Sequence, residues 1–369
     1  MLRMLEQGWP RNLVRFVGSF TEERRARIRL EDTVTEVQKI SCGLPQGSPA
    51  SPILFLLYIA DIFLEDKIHR YEYADDICVL RTGRTLDENT KQLSQDLTQI
   101  LRWGIEHKVS FDPEKCELMH FTSSKDTTYS PEVAATGFNF TIQEQPAPAI
   151  RWLGVWFDRK LKFNHHVMKR TTQASIVAHH IRSLANTQRG PPAASLRKAV
   201  LSCILPILTY GAEAWYAGTT KTRKTLLQNG SRDVSTRQEH LVEEVAKILN
   251  GAIRAVLPVW KTTPSDTLYR DSGIPTARVA LEQTRLRFAH RLLAVNKEHP
   301  LVRRAARRPL PPGRHYGDLQ PARTRLQRAA ELLPEFPRPL YIPKQYPPER
   351  GPRRGTSLRR RRQRRSRPG

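Results

Sequence analysis

Residues 71–80 read YEYADDICVL, so two adjacent carboxylates, Asp75 and Asp76, have apolar and aromatic residues on both sides. This pattern predicts a β-hairpin with a tight turn at its middle. Asp is a common turn residue, so the pair has a purely structural interpretation. Neighbouring carboxylates also repel each other, and they are typical of a site for Mg²⁺, which prefers oxygen ligands. From this stretch alone both interpretations stay open.

A glycine- and proline-rich segment precedes the hairpin, and residues 43–55 read GLPQGSPASPILF. Glycines allow the backbone to approach a ligand closely. Ser51 is predicted to cap a helix that has Pro52 at its first position, and a buried helix is predicted over 52–68. Helix N-termini attract phosphate. An ordinary loop followed by a helix cap is the alternative interpretation.

The remaining chain alternates strand and helix patterns before it becomes helical. Strands are predicted at 26–30 and 33–40, with Glu31 and Asp32 as the turn between them, and at 116–121 and 150–157. Apolar residues at helical spacing predict helices at about 86–101, 165–187, 194–213, 241–257 and 276–296. The fold class is therefore α+β in the first 160 residues and α-helical in the next 140.

The chain is strongly basic, with 61 Lys and Arg against 36 Asp and Glu in 369 residues, a net charge of +25. Such a charge predicts a polyanionic partner. Its four cysteines form no CxxC pair, which argues against a disulfide framework and a cysteine-based zinc site. The histidine pairs at 165–166 and 179–180 lack a third ligand at recognisable spacing. The apolar run at 53–60 is far too short to span a membrane, so no membrane partner is expected.

Much of the charge lies in the last part of the chain. Residues 301–369 hold 20 Lys and Arg, 4 Asp and Glu, and 12 of the 27 prolines. About the last 30 residues are predicted to be disordered, because they cannot bury enough apolar surface. The arginine run is typical of a nuclear localisation signal or a nucleic-acid-binding arm, and a solvated tail is the alternative. We expect a nuclear or cytoplasmic location, with the nuclear one favoured by this tail.

The two central segments together resemble motifs B and C of reverse transcriptases from non-LTR (LINE-type) retrotransposons, most like those of filamentous fungi. Residues 111–121 look like motif D, and residues 151–158 look like motif E. Residues 208–215 and 254–264 are similar to the region that follows the thumb in these polyproteins. The resemblance implies part of a right-hand polymerase palm, motifs B to E, followed by a helical thumb and connection. The expected domains are 1–158, 159–300 and a basic tail, 301–369.

The resemblance also implies RNA-templated DNA synthesis by two-metal phosphoryl transfer, with Mg²⁺ as cofactor. Asp75 and Asp76 correspond to the metal ligands, and Tyr73 would pack near the primer terminus. The implied partners are an RNA template, a DNA primer and deoxynucleoside triphosphates. The residues that would line the template and nucleotide pocket are Gly43, Pro45, Gln46, Gly47 and Ser48.

Two further sites are implied downstream. Lys115 matches the motif D lysine, a candidate proton donor to the leaving pyrophosphate, and a solvated strand end is the alternative. Trp152, Leu153 and Gly154 would form the primer grip, although core packing explains a tryptophan beside a leucine equally well.

One family feature has no counterpart upstream of Gly43, namely the Phe-Asp strand of motif A with its third carboxylate. We therefore expect a partial copy that begins after motif A and ends before an RNase H domain, and that is inactive alone. Three hypotheses follow: a piece of a reverse transcriptase, a basic RNA- or DNA-binding protein without chemistry, and a remnant without function.

Overall fold

The computed structural model describes residues 1–40, 42–64, 70–122, 131–144, 147–185, 189–219, 221–224, 231–234 and 238–295, with a few positions between 302 and 333. By its contacts the chain divides into two compact units, one containing Met1–Cys78 and one spanning Val79–Pro339, and each is described by itself. The disorder predicted for about the last 30 residues lies outside the described part. The domain limits at 158 and 300 remain predictions.

The first unit begins with helices α1 (Leu2–Glu6) and α2 (Arg11–Thr21). The two strands predicted at 26–40 form an interrupted antiparallel ladder around the expected turn at Glu31 and Asp32. All four short strands of this ladder are exposed. They are β1 (Arg25–Ala26), β2 (Arg29–Leu30), β3 (Thr33–Val34) and β4 (Gln38–Lys39).

The buried helix predicted over 52–68 is wrong in two respects. The chain forms α3 (Ala50–Ile59) and α4 (Asp61–Leu64) with a break at Ala60, and residues 65–68 lie outside the described part. The segment is also only partly buried: Ile59 and Ile62 are buried, whereas Ile53 is 58% exposed. The predicted hairpin follows as β5 (Arg70–Tyr73) and β6 (Asp76–Val79) and is confirmed.

The second unit begins with the long helix α5 (Leu86–Glu106), as predicted. Thr85 caps the helix by accepting a hydrogen bond from the Glu88 backbone N–H at 3.2 Å. A hairpin that was not predicted, β7 (Glu132–Ala134) with β8 (Thr141–Gln143), packs against α5. Leu101, Ala135 and Phe140 form the small core between them.

The strand predicted at 116–121 is wrong. A 3₁₀ turn at Pro113–Lys115 is followed by extended chain that makes one isolated bridge, between Leu118 and Glu144. The side chain of Glu144 takes the place of a strand partner, because its Oε1 accepts from the His120 backbone N–H at 3.1 Å. Its Oε2 lies 2.6 Å from His120 Nδ1 and 2.9 Å from Arg159 Nη2.

The single strand predicted at 150–157 is also wrong. The segment is a hairpin, β9 (Ala149–Trp152) with β10 (Val155–Asp158), and Trp152 pairs with Val155. Leu153 and Gly154 make the turn, with φ angles of 46° and 76°. Two consecutive positive φ angles are typical of the tight turns that join antiparallel strands. The apolar composition on both sides of the turn concealed this reversal.

Helices form the rest of the second unit, and the helices predicted near 165–187, 241–257 and 276–296 are confirmed. The one predicted at 194–213 is interrupted by a π-helical turn at Val200–Ile204, just before Pro206, which lacks the N–H that would continue the ladder. The helix at Ser265–Ser272 and the hairpin of Lys221–Lys224 with Ser231–Val234 were not predicted. The elements are α6 (Asn164–Leu184), α7 (Ala193–Ala199), α8 (Leu205–Thr209), α9 (Ala212–Trp215), β11 (Lys221–Lys224), β12 (Ser231–Val234), α10 (Glu239–Val256), α11 (Ser265–Ser272) and α12 (Ala277–Ala294).

The main core lies among these helices, where α6 packs against α10. Its fully buried side chains include Ile204, Leu208, Trp215, Leu249 and Ile253. The helical run Ala193–Trp215 is long and apolar enough, by length and composition alone, to cross a membrane. It is longer than the apolar run at 53–60, the only one considered from the sequence. The same run supplies Ile204, Leu208 and Trp215 to this core.

Candidate active site

The tip of the β5–β6 hairpin carries the two adjacent carboxylates. Ala74 and Asp75 form the turn, Asp76 begins β6, and all three are exposed. Ala74 has a φ of 58°, in the left-handed region that a two-residue hairpin turn requires at its first position. For a residue with a Cβ this conformation costs about 1–2 kcal/mol. The strained turn therefore projects both carboxylates into solvent at the end of a short ladder.

Glu72, which our reading of the sequence missed, lies on β5 beside the tip. Burial raises the pKa of its carboxyl group, and its Oε1 atom is buried without a hydrogen-bond partner among the described residues. The alternation of side chains along a strand could have revealed it, because Glu72 falls on the opposite face from Tyr71 and Tyr73. Arg70 anchors the same strand by donating from Nη1 to the Ile62 carbonyl at 2.9 Å.

The described carboxylates do not amount to a complete two-metal site. Among the residues that the structure describes, no group of three or more His, Cys, Asp or Glu side chains is placed to hold a metal ion. Asp75 and Asp76 supply oxygen ligands of the type that Mg²⁺ prefers, but they are two consecutive, exposed side chains. The donor set therefore does not fit the pair of ions that the resemblance implies.

The loop before α3 is fixed at both ends. Arg24 Nη2 donates to the carbonyls of Cys42 and Gly43, each at 2.7 Å. Ser51 Oγ donates to the Pro45 carbonyl at 2.5 Å, so the prediction that Ser51 caps the helix is wrong: Pro49 is at the cap position and Ser51 is inside the helix. This contact ties the helix back to its own loop.

Between these anchors, Gln46 and Gly47 are exposed, and Pro45 and Ser48 are half-buried. Gly43 and Gly47 both have positive φ angles, 74° and 84°. These residues and the hairpin tip with Tyr73, Asp75 and Asp76 belong to the first unit. Their assignment to a template and nucleotide pocket remains a prediction.

Lys115 lies in the second unit at the end of the 3₁₀ turn. Its side chain is 85% exposed, and its Nζ lies 3.2 Å from Asp112 Oδ2. Asp112 also caps the turn by accepting from the Glu114 backbone N–H at 3.1 Å. A solvated lysine with a nearby carboxylate is compatible with proton donation and with a purely structural ion pair, so both interpretations persist.

The turn of the β9–β10 hairpin is held by two side chains distant in sequence. Tyr210 Oη donates to the Leu153 carbonyl at 2.8 Å, and Arg170 Nη2 donates to the Gly154 carbonyl at 2.6 Å. The Arg170 guanidinium lies over the Tyr210 ring, 4.2 Å from its centroid. A Cβ at Gly154 would lie 3.0 Å from Tyr210 Oη, so this close approach requires glycine. Sequence reasoning missed both holding residues, since neither is near the turn along the chain.

His166 joins the same network beneath the hairpin. Its Nε2 lies 2.9 Å from the Tyr210 carbonyl, and its Nδ1 accepts from the Trp156 backbone N–H at 3.3 Å. A neutral ring with its proton on Nε2 satisfies both contacts. Burial lowers the pKa of His166, and the positive charge of Arg170 lowers it further, against the effect of the Tyr210 carbonyl. This histidine is therefore a core residue with satisfied hydrogen bonds.

Because the folded pKa of His166 is depressed below its ordinary value of 6.5, the unfolded chain binds the proton more readily. The stability that neutral His166 contributes is present above pH 6.5 and is lost as the pH falls towards its folded pKa. We expect His166→Gln to flatten the dependence of unfolding free energy on pH between about pH 7 and pH 5. Urea unfolding at a series of pH values measures this, with the exposed His179→Gln as control. Parallel pH profiles for His166→Gln and the wild type would contradict it.

Comparison with known proteins shows what part of the chain is similar to. Residues 8–157 match the model of the reverse transcriptase (RNA-dependent DNA polymerase) family. The matched span includes the loop before α3, the Asp75–Asp76 hairpin, Lys115 and the Trp152–Gly154 turn. No solved structure matches the chain.

Curated relatives come from insect mobile elements. A probable RNA-directed DNA polymerase from transposon BS of Drosophila melanogaster is 24% identical over 79% of this chain and 30% of its own length. One from transposon X-element of the same species is 27% identical over 57% of this chain and 23% of its own. The RNA-directed DNA polymerase from mobile element jockey of Drosophila funebris is 29% identical over 42% and 17%.

The chain thus spans less than a third of the length of these relatives. The fungal likeness inferred from the motifs remains a prediction. Residues 8–157 match the reverse transcriptase family, and the chain is similar in sequence to RNA-directed DNA polymerases of Drosophila mobile elements.

Proposed function

We propose that the chain is the part of a retrotransposon RNA-directed DNA polymerase that holds an RNA template and a DNA primer at the site of nucleotide addition. The observation that carries this proposal is the exposed Asp75–Asp76 pair at a strained hairpin tip inside the span matched by the reverse transcriptase family. In this proposal, motifs B to E form part of a polymerase palm, and the helices from α6 onward correspond to thumb and connection.

The reaction proposed is attack of the primer 3′-hydroxyl oxygen on the α-phosphorus of a deoxynucleoside triphosphate. A phosphodiester bond forms, the bond to pyrophosphate breaks, and the hydroxyl proton passes to solvent. Tyr73, which is 63% exposed beside the tip, offers an aromatic face to the primer terminus. In the second unit, the Tyr210 and Arg170 contacts hold the Leu153–Gly154 turn in a defined shape for a primer grip. Lys115 is the proposed proton donor to the pyrophosphate.

Magnesium is the cofactor that we propose for this reaction, but Asp75 and Asp76 do not complete its ligand set. The proposal therefore includes a further carboxylate that the described residues do not bring to the hairpin tip. Without it, charge on the reacting phosphates is left without sufficient stabilisation. We propose that this chain binds template and primer but does not extend the primer by itself.

The position of the primer is testable by photocrosslinking of the full chain to an RNA template annealed to a DNA primer that ends in 5-iododeoxyuridine. We expect crosslinked peptides from 70–79 and 149–158, because Tyr73 and the Trp152–Gly154 turn are the proposed primer contacts. Mass spectrometry identifies the peptides. Crosslinks confined to other parts of the chain would overturn the proposed placement of the primer.

Primer extension with Mg²⁺ and all four deoxynucleoside triphosphates tests the ligand set separately. We expect the chain to give no more product than its Asp75→Ala variant, with the exposed turn variant Asp32→Ala as matched control. Robust synthesis by the wild type and Asp32→Ala, lost in Asp75→Ala, would show that the carboxylates of this chain suffice. That result would leave the polymerase proposal intact and refute the need for another carboxylate.

A second candidate function is RNA or DNA binding without chemistry. The net charge of +25 favours it, together with the incomplete carboxylate set of the described residues. Phosphate contacts of this kind are strongly salt-dependent and weakly selective for sequence. Under this alternative, the 3′ end of the primer has no preferred position, so its crosslinks spread over basic segments instead of the two hairpins.

A further inference from the structure

Trp260 is the most exposed large apolar side chain among the described residues, at 84%. It lies between α10 and α11, far along the chain from the polymerase motifs. Tryptophan offers a large flat surface that is normally covered, and its exposure is typical of recognition sites. The surroundings of the indole then decide which class of ligand fits.

The tryptophan is presented on a fixed turn. The Thr263 backbone N–H donates to the Trp260 carbonyl at 3.0 Å and closes the turn. Arg254, on α10, donates from Nη2 to the carbonyls of Lys261 and Thr263 at 3.2 and 2.8 Å. The turn is therefore held against the helix at two carbonyls, so the backbone that carries the indole is ordered before any ligand arrives.

An open groove of about 500 Å³ adjoins this turn along α10. Besides Ala246, its lining consists of Glu243, Lys247, Asn250, Gly251, Arg254 and Lys261. Three of these side chains are cationic and one is anionic. Nothing in the described part would lie within 4 Å of a Cβ at Gly251, so the floor of the groove is open there.

The polar groups of the groove match a nucleic acid. Lys247 and Lys261 form no ion pair with a carboxylate in the described part of the chain, so their charges remain available for phosphates.

We propose that Trp260 and the groove beside it form a binding site for single-stranded nucleic acid, separate in sequence from the polymerase motifs. An unpaired base stacks on the indole, and the adjacent phosphates bind Lys247 and Lys261. A duplex is a poor fit, because its base faces are covered by their neighbours, whereas single-strand sites combine a basic groove with an aromatic platform. This contact requires no polymerase chemistry.

The test is ultraviolet crosslinking of the full chain to a single-stranded RNA in which 5-iodouridine replaces every uridine. No complementary strand, divalent metal or nucleotide is present. We expect Trp260 itself to be crosslinked, as read by mass spectrometry. Trp260→Ala should also weaken equilibrium binding of the single strand by about 5- to 100-fold, the effect of losing one stacked base. Trp260→Phe should retain most of the affinity, and duplex binding should change little in either variant.

The lysines are tested by the salt dependence of the same binding. Lys247→Gln and Lys261→Gln should each reduce the slope of log affinity against log salt by about 0.7, as expected for one lost phosphate contact. Lys198, an exposed lysine outside the groove, provides the matched control: Lys198→Gln should reduce this slope less.

An unchanged affinity of Trp260→Ala for the single strand, or the absence of crosslinks in the segment around Trp260, would overturn this site. Either result leaves the primer crosslinks at 70–79 and 149–158 unaffected, so the two proposals fail independently.

Discussion

Replacing Trp215 with alanine is expected to lower the free energy of unfolding of the second unit by about 3–5 kcal/mol, the range for deleting a large buried aromatic side chain. Trp215 is 1% exposed and belongs to the main core. Its ring meets that of Tyr216 edge to face, with centroids 5.9 Å apart. The substitution removes the buried apolar surface of the indole. It also leaves a cavity among α9, α10 and α12 that the surrounding side chains fill only in part. Urea unfolding followed by far-ultraviolet circular dichroism measures the loss.

The chain offers a matched control in Trp260→Ala, which deletes the same side chain from an exposed position. We expect that variant to unfold within about 0.5 kcal/mol of the wild type, because surface substitutions rarely exceed this. Its stability also shows that any loss of single-strand binding is not caused by unfolding. Equal destabilisation by the two substitutions would contradict the burial that the structure assigns to Trp215.

Replacing Asp96 with asparagine is the second change for which we expect a large effect, about 3–5 kcal/mol of unfolding free energy. Asp96 lies on α5 with its side chain 3% exposed. Its two oxygens accept from Arg81 Nε at 2.6 Å and Nη2 at 2.7 Å, a bidentate pair. The substitution preserves shape but removes the negative charge, so the Arg81 guanidinium is left largely buried without its counter-charge.

The matched control for this pair is Asp271→Asn. Asp271 forms a 2.9 Å ion pair with Arg270 in which both side chains are exposed. Water and salt screen such a pair, so the substitution should cost no more than about 1 kcal/mol. Thermal and urea unfolding of both variants provide the comparison. Similar small losses for Asp96→Asn and Asp271→Asn would mean that burial does not strengthen the Arg81–Asp96 pair.

Arg81 lies two residues beyond β6 along the chain, so its pair with Asp96 holds the segment that follows the carboxylate hairpin against α5. Within the first unit, Arg24 and Ser51 hold the loop before α3 through hydrogen bonds to backbone carbonyls.

Local patterns predicted the elements that depend on local physics. The hairpin at 71–80 and the turn at Glu31–Asp32 follow from turn residues between apolar runs. Helix α5 and the later helices follow from apolar spacing that matches the helical period. The sequence was read wrongly where a long apolar run conceals a reversal, as at Leu153–Gly154. It was also read wrongly where a side chain replaces a strand partner, as Glu144 does at His120.

The sequence by itself determined the similarity of residues 8–157 to the reverse transcriptase family, the basic character of the chain and the residues of the carboxylate hairpin, because each depends on residue types at short spacing. The tertiary structure decided which of these groups are held, buried or left open. Only folding brings Tyr210 and Arg170 to the Leu153–Gly154 turn, keeps His166 neutral beneath it and leaves Trp260 exposed beside a basic groove. These features depend on contacts between residues far apart along the chain, and burial and the shift of a pKa arise only when such contacts form.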